Sequence, residues 1–314
     1  MKEISVKDKA SDLRRDVLHG LSKTQKEIPS KYFYDERGSE LFEQICGLED
    51  YYPTDCEVEI MQNNLDEVAD ALGASVQLIE LGSGSSMKTR LLLKRCKNLA
   101  MYVPVDISED FLNEVASVLR SEFPNHDIRP VVADYTSEFD LPENDQIAKK
   151  VVYYPGSTIG NFTKRRARKF LNSIGENLSA GDGLLIGVDL KKDPEVLEKA
   201  YNDSEGVTAA FNKNLLVRLN RELNTDFNID RFNHVSFYNR EEGRIEMHLE
   251  SKEEQSVTVA GQKFWFEKGE TIHTENSHKY KVDEFEELAG DYFKTLKTWT
   301  DSRNYFSVHY FERA

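Results

Sequence analysis

Val76-Gln-Leu-Ile-Glu-Leu-Gly-Ser-Gly84 is a short apolar run that closes on two glycines, and residues 88–95 after it carry a helical pattern. A strand that hands over to a helix through a glycine turn is how a doubly wound sheet begins, because glycine lets the backbone turn sharply and approach a ligand closely. Upstream, Val58, Met61, Leu65, Val68 and Leu72 recur at spacings of three and four, one stripe of an amphipathic helix that stops at Gly73. Downstream the alternation repeats, with strands expected over 100–106, 128–134, 151–155 and 183–189 and helices over 109–122 and 164–178. Short apolar strands alternating with helices predict an α/β fold with a parallel sheet covered on both faces.

From about residue 190 to 280 the rhythm changes. A helical stretch over 200–223 is followed by alternating segments at 234–239, 244–250, 256–260, 263–267 and 271–277, which read as a separate antiparallel unit. A helix over 283–289 and two strands over 292–300 and 305–312 then return to the first sheet as its antiparallel edge. Residues 1–55 are not assigned by periodicity.

Composition narrows the function classes. Of 314 residues, 41 are Lys or Arg and 56 are Asp or Glu, a net charge of −15 that repels polyanions and anionic membranes. The one dense basic run, Lys164-Arg-Arg-Ala-Arg-Lys169, reads as a solvated helix face. Three cysteines, Cys46, Cys56 and Cys96, lack CxxC spacing and fit a reducing compartment. No apolar run reaches the roughly 18 residues of a membrane span, and the first residues lack a signal-type apolar core. A cytoplasmic monomer without nucleic-acid or membrane partners is expected.

Glu80, Gly82 and Gly84 sit at the first strand end, Asp106 at the second and Asp134-Tyr135 at the third. Either aspartate alone could be a helix cap. Carboxylates at successive strand ends instead suit a nucleoside, with Asp106 accepting the ribose hydroxyls and Asp134-Tyr135 at adenine depth. A dinucleotide fingerprint would need glycine where Met87 stands. Glu80 beside the turn disfavours a pyrophosphate and suits a ligand carrying an ammonium and a sulfonium. S-adenosyl-L-methionine has both, so the reading is a Rossmann-like methyltransferase, with Lys88 added to the cofactor-binding set.

Seven stretches then resemble one family in order: Tyr32-Phe-Tyr-Asp-Glu-Arg-Gly-Ser-Glu-Leu-Phe, Tyr51-Tyr-Pro-Thr, Glu80-Leu-Gly-Ser-Gly, Pro155-Gly-Ser-Thr-Ile-Gly-Asn, Ala200-Tyr-Asn-Asp through Gly206-Val-Thr-Ala-Ala-Phe-Asn, Arg244-Ile-Glu-Met-His-Leu and Thr274-Glu-Asn-Ser-His-Lys-Tyr. They are similar to the histidine-specific Nα-methyltransferases of ergothioneine biosynthesis, which convert histidine to hercynine. The resemblance implies a class I methyltransferase domain of residues 56–189 and 281–314, and an inserted α+β substrate-binding domain of residues 1–55 and 190–280. It further implies that Gly156 and Asn161 hold the substrate amine near the methyl donor, that Asn161 and Tyr201 bind the carboxylate, and that Glu275 and Ser277 face the imidazole. Tyr52 and Tyr34 would wall the pocket, with Met247 packing nearby.

The chemistry needs little else. No H-x-x-x-H pair marks a metal site, His273 and His278 would face opposite sides of a strand, and Ser83, Ser85 and Ser86 lack the nucleophile-elbow pattern, so neither metal nor nucleophile is expected. No general base is assigned. Related proteins that methylate tryptophan-derived amines offer another acceptor, against which Glu275 and Ser277 argue. A nucleotide-binding regulatory module would have no use for Asn161, Tyr201, Glu275 and Ser277 together.

Overall fold

A computed structural model describes residues 6–84, 86, 88–97 and 99–314; the readings that rest on Ser85 and Met87 lie outside these described residues. In chain order the strands are β1 (Lys26–Glu27), β2 (Val76–Leu81), β3 (Met101–Asp106), β4 (Val131–Val132), β5 (Lys149–Tyr154), β6 (Gly183–Asp189), β7 (Phe232–Asn239), β8 (Arg244–Ser251), β9 (Gln255–Val259), β10 (Gln262–Phe266), β11 (Thr271–His278), β12 (Phe293–Thr300) and β13 (Phe306–Arg313). The α-helices are α1 (Val6–Leu21), α2 (Glu36–Cys46), α3 (Tyr52–Asn63), α4 (Leu65–Leu72), α5 (Thr89–Arg95), α6 (Glu109–Glu122), α7 (Lys164–Asn177), α8 (Pro194–Tyr201), α9 (Val207–Leu223) and α10 (Val282–Ala289). The chain divides into two compact units, Met1–Tyr51 with Asp193–Asn276 and Tyr52–Lys192 with Ser277–Ala314.

The second unit is a seven-stranded sheet in the order β12-β13-β6-β5-β2-β3-β4. Strands β2 to β6 are parallel, and β13 inserts antiparallel between β6 and β12. β2 and β6 are buried along their whole length, which is why both read as nearly continuous apolar runs. The order runs from β2 to β4 in one direction and from β5 to β6 in the other, so the topology reverses between β2 and β5. Ligands of doubly wound sheets bind outside the carboxyl ends of the strands at such a reversal. On α7, Ala167 is buried while Lys164, Arg165, Arg166, Arg168 and Lys169 are exposed, as a solvated basic face requires.

Two local expectations change. The third strand, expected over 128–134, shrinks to Val131–Val132 and a bridge from Ile128 to Tyr102, because Pro130 between them has no N–H to give. The stripe over 58–72 is two helices, broken where Asn64 leaves helical geometry and its side chain donates to the Ile60 carbonyl at 2.8 Å.

The first unit carries a four-stranded sheet in the order β1-β11-β8-β7, and β9 and β10 form a separate antiparallel pair. β7 and β8 are antiparallel, but β1, from the segment that periodicity left unassigned, adds parallel to β11. The helical stretch over 200–223 is interrupted at 202–206, where Asp203 accepts the backbone N–H groups of Val207 and Thr208 at 2.9 and 2.8 Å and starts α9. From α9, Asn212 donates to the His248 carbonyl and accepts the Thr274 hydroxyl, which pins the helix to β8 and β11. Among the described residues no helix is long and apolar enough to cross a membrane.

Candidate active site

The glycine turn after β2 has left-handed backbone at Gly82 (φ 68°) and Gly84 (φ 48°), a conformation glycine takes without steric cost. Gly82 N–H donates to the Val105 carbonyl and Gly84 N–H to Asp106 Oδ2 at 3.3 Å, so the turn is stitched to the end of β3. Asp106 Oδ1 also accepts the Ser108 N–H at 2.9 Å; burial raises its pKa against these backbone bonds. Asp134 accepts the Thr136 N–H at 2.9 Å in a turn of its own. Tyr135 lies over the turn, its ring 3.5 Å from where a Gly82 Cβ would stand, and its hydroxyl accepts from Tyr154 at 3.3 Å.

Glu80 is placed differently from a ligand-facing carboxylate. It is 1% exposed and accepts from Tyr102, whose hydroxyl is also 3.0 Å from Ser86 Oγ. Burial pushes its pKa up to about 7, against the hydrogen bonds from Tyr102 and Thr89 and the charge of Lys88. Its direct contacts are therefore with the frame of the turn. Lys88 pairs with Glu57, a fully buried α3 carboxylate that the sequence did not single out. Glu57 also accepts the Gly156 N–H, at 2.9 Å to Oε2 and 3.2 Å to Oε1. Lys88 is committed to Glu57, and the carboxylate beside the turn is Asp106, which fits a cationic nucleoside without phosphate.

After β5, Gly156 (φ 76°) and Ser157 (φ 56°) are both left-handed and lead into a short 3-10 turn, Thr158–Asn161. Ser157 Oγ accepts the Asp189 N–H at 2.9 Å. A Cβ on Gly160 would stand 2.9 Å from the His278 carbonyl oxygen, so this turn packs directly on the end of β11. The half-buried side chain of Asn161 has no hydrogen-bond partner among the described residues.

The expected substrate residues divide between the units. Gly156, Asn161, Ser277 and Tyr52 belong to the sheet unit; Tyr34, Tyr201, Met247 and Glu275 belong to the other. Within the latter, Tyr201 meets Tyr51 edge-on at 6.1 Å, and Tyr34 packs on Phe42 and Phe211. Burial, then the neighbouring Tyr201, Cys46, Glu275 and Tyr34, drives the Tyr51 hydroxyl pKa well up. Tyr51 thus keeps the company expected of Tyr52. Tyr52 is the first residue of α3, and its hydroxyl donates to Asp189 at 2.8 Å and accepts from Lys192 at 2.9 Å. Met247 is 1% exposed on β8, and its carbonyl accepts the Thr274 hydroxyl at 3.0 Å.

Asp189, at the end of β6, is also a residue the sequence reading missed. It is 1% exposed and takes Lys192 and Lys279 besides Tyr52, Lys279 at 2.6 Å. Burial alone would raise its carboxyl pKa, but the two ammonium groups hold it below the usual range. Burial pushes Lys192 down to about 8, against the attraction of Asp189.

Glu246, His248 and His273 form a cluster that no helical spacing could reveal, because β8 and β11 each contribute to it. Their ligand atoms lie within 4.8 Å of one another, close enough to hold an ion. The two imidazoles stack at 4.6 Å with planes 11° apart, and His248 bonds Glu246 and Thr271 while His273 bonds the Glu275 carbonyl. Those hydrogen bonds engage three of the four imidazole nitrogens, both on His248 and Nε2 of His273.

A parallel sheet whose strand order reverses beside a glycine turn, with Asp106 at the end of β3, is the Rossmann-like arrangement of class I S-adenosylmethionine-dependent methyltransferases. The family described as "Histidine-specific methyltransferase, SAM-dependent" matches residues 13–313. Histidine N-alpha-methyltransferase of Mycolicibacterium smegmatis is 40% identical over 95% of this chain and 94% of its own, and that of Mycobacterium tuberculosis 41% over 94% and 93%. Ergothioneine biosynthesis protein 1 of Neurospora crassa is 31% identical over 89% of this chain, which spans 32% of that longer protein. The chain belongs to the family of histidine-specific, S-adenosylmethionine-dependent methyltransferases.

Proposed function

We propose that the protein methylates the α-amine of L-histidine three times to give hercynine, the betaine used in ergothioneine biosynthesis. The observation that carries this reading is its identity, over nearly the whole chain, to histidine N-alpha-methyltransferases. S-adenosylmethionine, when bound, supplies a methyl group already activated on a sulfonium. The chain's part is then alignment: it must hold the amine lone pair in line with that methyl and exclude competing acceptors. In this reading Gly82, Gly84, Asp106, Asp134 and Tyr135 hold the cofactor, with Glu80 and Lys88 shaping its turn from behind. Asn161 and Tyr201 take the amino-acid head group without adding charge beside a cationic donor. Glu275 and Ser277 take the ring nitrogens, and Tyr34 and Tyr51 wall the pocket. The protein works on a small molecule, as a monomer of the cytoplasm, in keeping with its net charge and unpatterned cysteines.

Mass spectrometry after incubation with S-adenosylmethionine and each amino acid should find histidine carrying up to three added methyl groups, and no comparable product from the others. Replacing Glu275 by Leu and Ser277 by Ala should cut kcat/KM for histidine and raise that for tryptophan relative to it, because polar groups built for ring nitrogens penalise an apolar ring. An unchanged ratio would place ring recognition elsewhere.

A further inference from the structure

Lys279 is a lysine with no exposed surface. Its ammonium donates to Asp189 Oδ2 at 2.6 Å and to Ser277 Oγ at 2.7 Å. Asp189 is in turn held by the Tyr52 hydroxyl from α3 and by Lys192 just after β6, so the carboxylate that anchors Lys279 is itself fixed from two elements. An ammonium can only donate, so Ser277 Oγ receives from Lys279 and its own hydrogen points away from it.

We infer that Lys279 is a positioning residue that fixes the Ser277 hydroxyl as a donor and thereby makes the site select the neutral imidazole ring of its substrate over imidazolium. The inference rests on the proposal above that Ser277 meets the ring. A neutral imidazole offers one bare nitrogen to accept from Ser277 and one N–H to give, and Glu275, two residues earlier on β11, is the carboxylate suited to take it. An imidazolium has two N–H groups and no acceptor. Its second N–H would have to share the Ser277 oxygen with a lysine ammonium already 2.7 Å away, two cationic donors on one hydroxyl.

The test is calorimetric titration of L-histidine into the protein saturated with S-adenosylhomocysteine, between about pH 5 and pH 8, an interval that brackets the ordinary imidazole pKa of about 6.5. The wild type should lose about tenfold in affinity per pH unit below the ring pKa, while Lys279→Met flattens that acid limb and Lys279→Arg restores it. Lys279→Leu likewise removes the ammonium, leaves Asp189 paired with Lys192 so that no buried charge is stranded, and should flatten the limb in the same way. A wild type that binds histidine equally across the interval overturns the inference, as does an acid limb that survives in either variant lacking Lys279. If the wild type binds no histidine at any pH, the substrate reading itself fails and the inference falls with it.

Discussion

Glu57 and Gly156 are 99 residues apart in the chain, yet the Glu57 carboxylate accepts the Gly156 N–H at 2.9 Å and so ties α3 to the turn that carries Asn161. The same carboxylate fills the space beside Gly187, where a Cβ would come within 2.2 Å of Glu57 Oε1. The glycine in the middle of β6 is thus the counterpart of a buried acid on a helix.

Glu57→Ala should destabilise the protein by about 3 kcal/mol, because it leaves Lys88 and the Gly156 N–H without their acceptor. Gly187→Ala should also destabilise, through the clash. Urea unfolding of both and of the double variant checks the link: the losses should fall short of additive, since removing the carboxylate opens room for the methyl.

Asp106→Ala should weaken S-adenosylhomocysteine binding by about 1.5–3 kcal/mol, the range for hydrogen bonds to a charged group, with a smaller effect on histidine affinity. Calorimetry with each ligand separates the two. Equal cofactor affinity in the variant would reduce Asp106 to its structural bonds with Gly84 and Ser108.

Glu80 gives stability a definite pH dependence. Its folded pKa, raised by burial to about 7, lies above the ordinary carboxyl value of about 4.3. Between these values the unfolded chain releases the proton while the folded chain keeps it, so the Glu80 contribution declines as pH rises from about 4.3 to 7 and is flat above. Relative to wild type, Glu80→Gln should therefore gain on the order of 3 kcal/mol between pH 4 and pH 8. Unfolding free energies of the two proteins at both ends of the interval measure it.

Tyr51→Phe and Tyr52→Phe should part company. The first should raise KM for histidine by roughly tenfold, a hydrogen bond's worth, with little change in stability. The second should lower stability by about 1 kcal/mol through Asp189 and leave KM within about twofold. Steady-state kinetics and urea unfolding of each variant decide which tyrosine faces the substrate.

The Tyr51–Tyr52 pair shows where sequence reading stops. A motif names two adjacent tyrosines, but the start of a helix turns neighbouring side chains in different directions, and only the fold says which one meets Tyr201 and which meets Asp189. The strands at 76–81, 101–106 and 183–189 were legible because burial on both faces writes itself as an apolar run. The glycine turn and the acidic strand ends were legible because a strand-to-helix handover fixes their place locally. Glu80 was found for its position beside that turn, but its partner Tyr102 lies on the next strand, and with it the reason the carboxyl is buried rather than offered to a ligand.

What the sequence determined by itself is everything that repeats at short range: the alternation of strand and helix, the parallel sheet with its antiparallel edge, the cofactor turn, and a family resemblance carried by contiguous motifs. Tertiary structure alone decided the contacts between residues far apart in the chain. These include the parallel pairing of β1 with β11, the bond from Glu57 to Gly156, and the gathering of Tyr52, Lys192, Lys279 and Ser277 around Asp189. The physical reason is that hydrophobic periodicity records which face of an element is buried, whereas a buried charge records nothing in its own neighbourhood of the chain about the partner that compensates it.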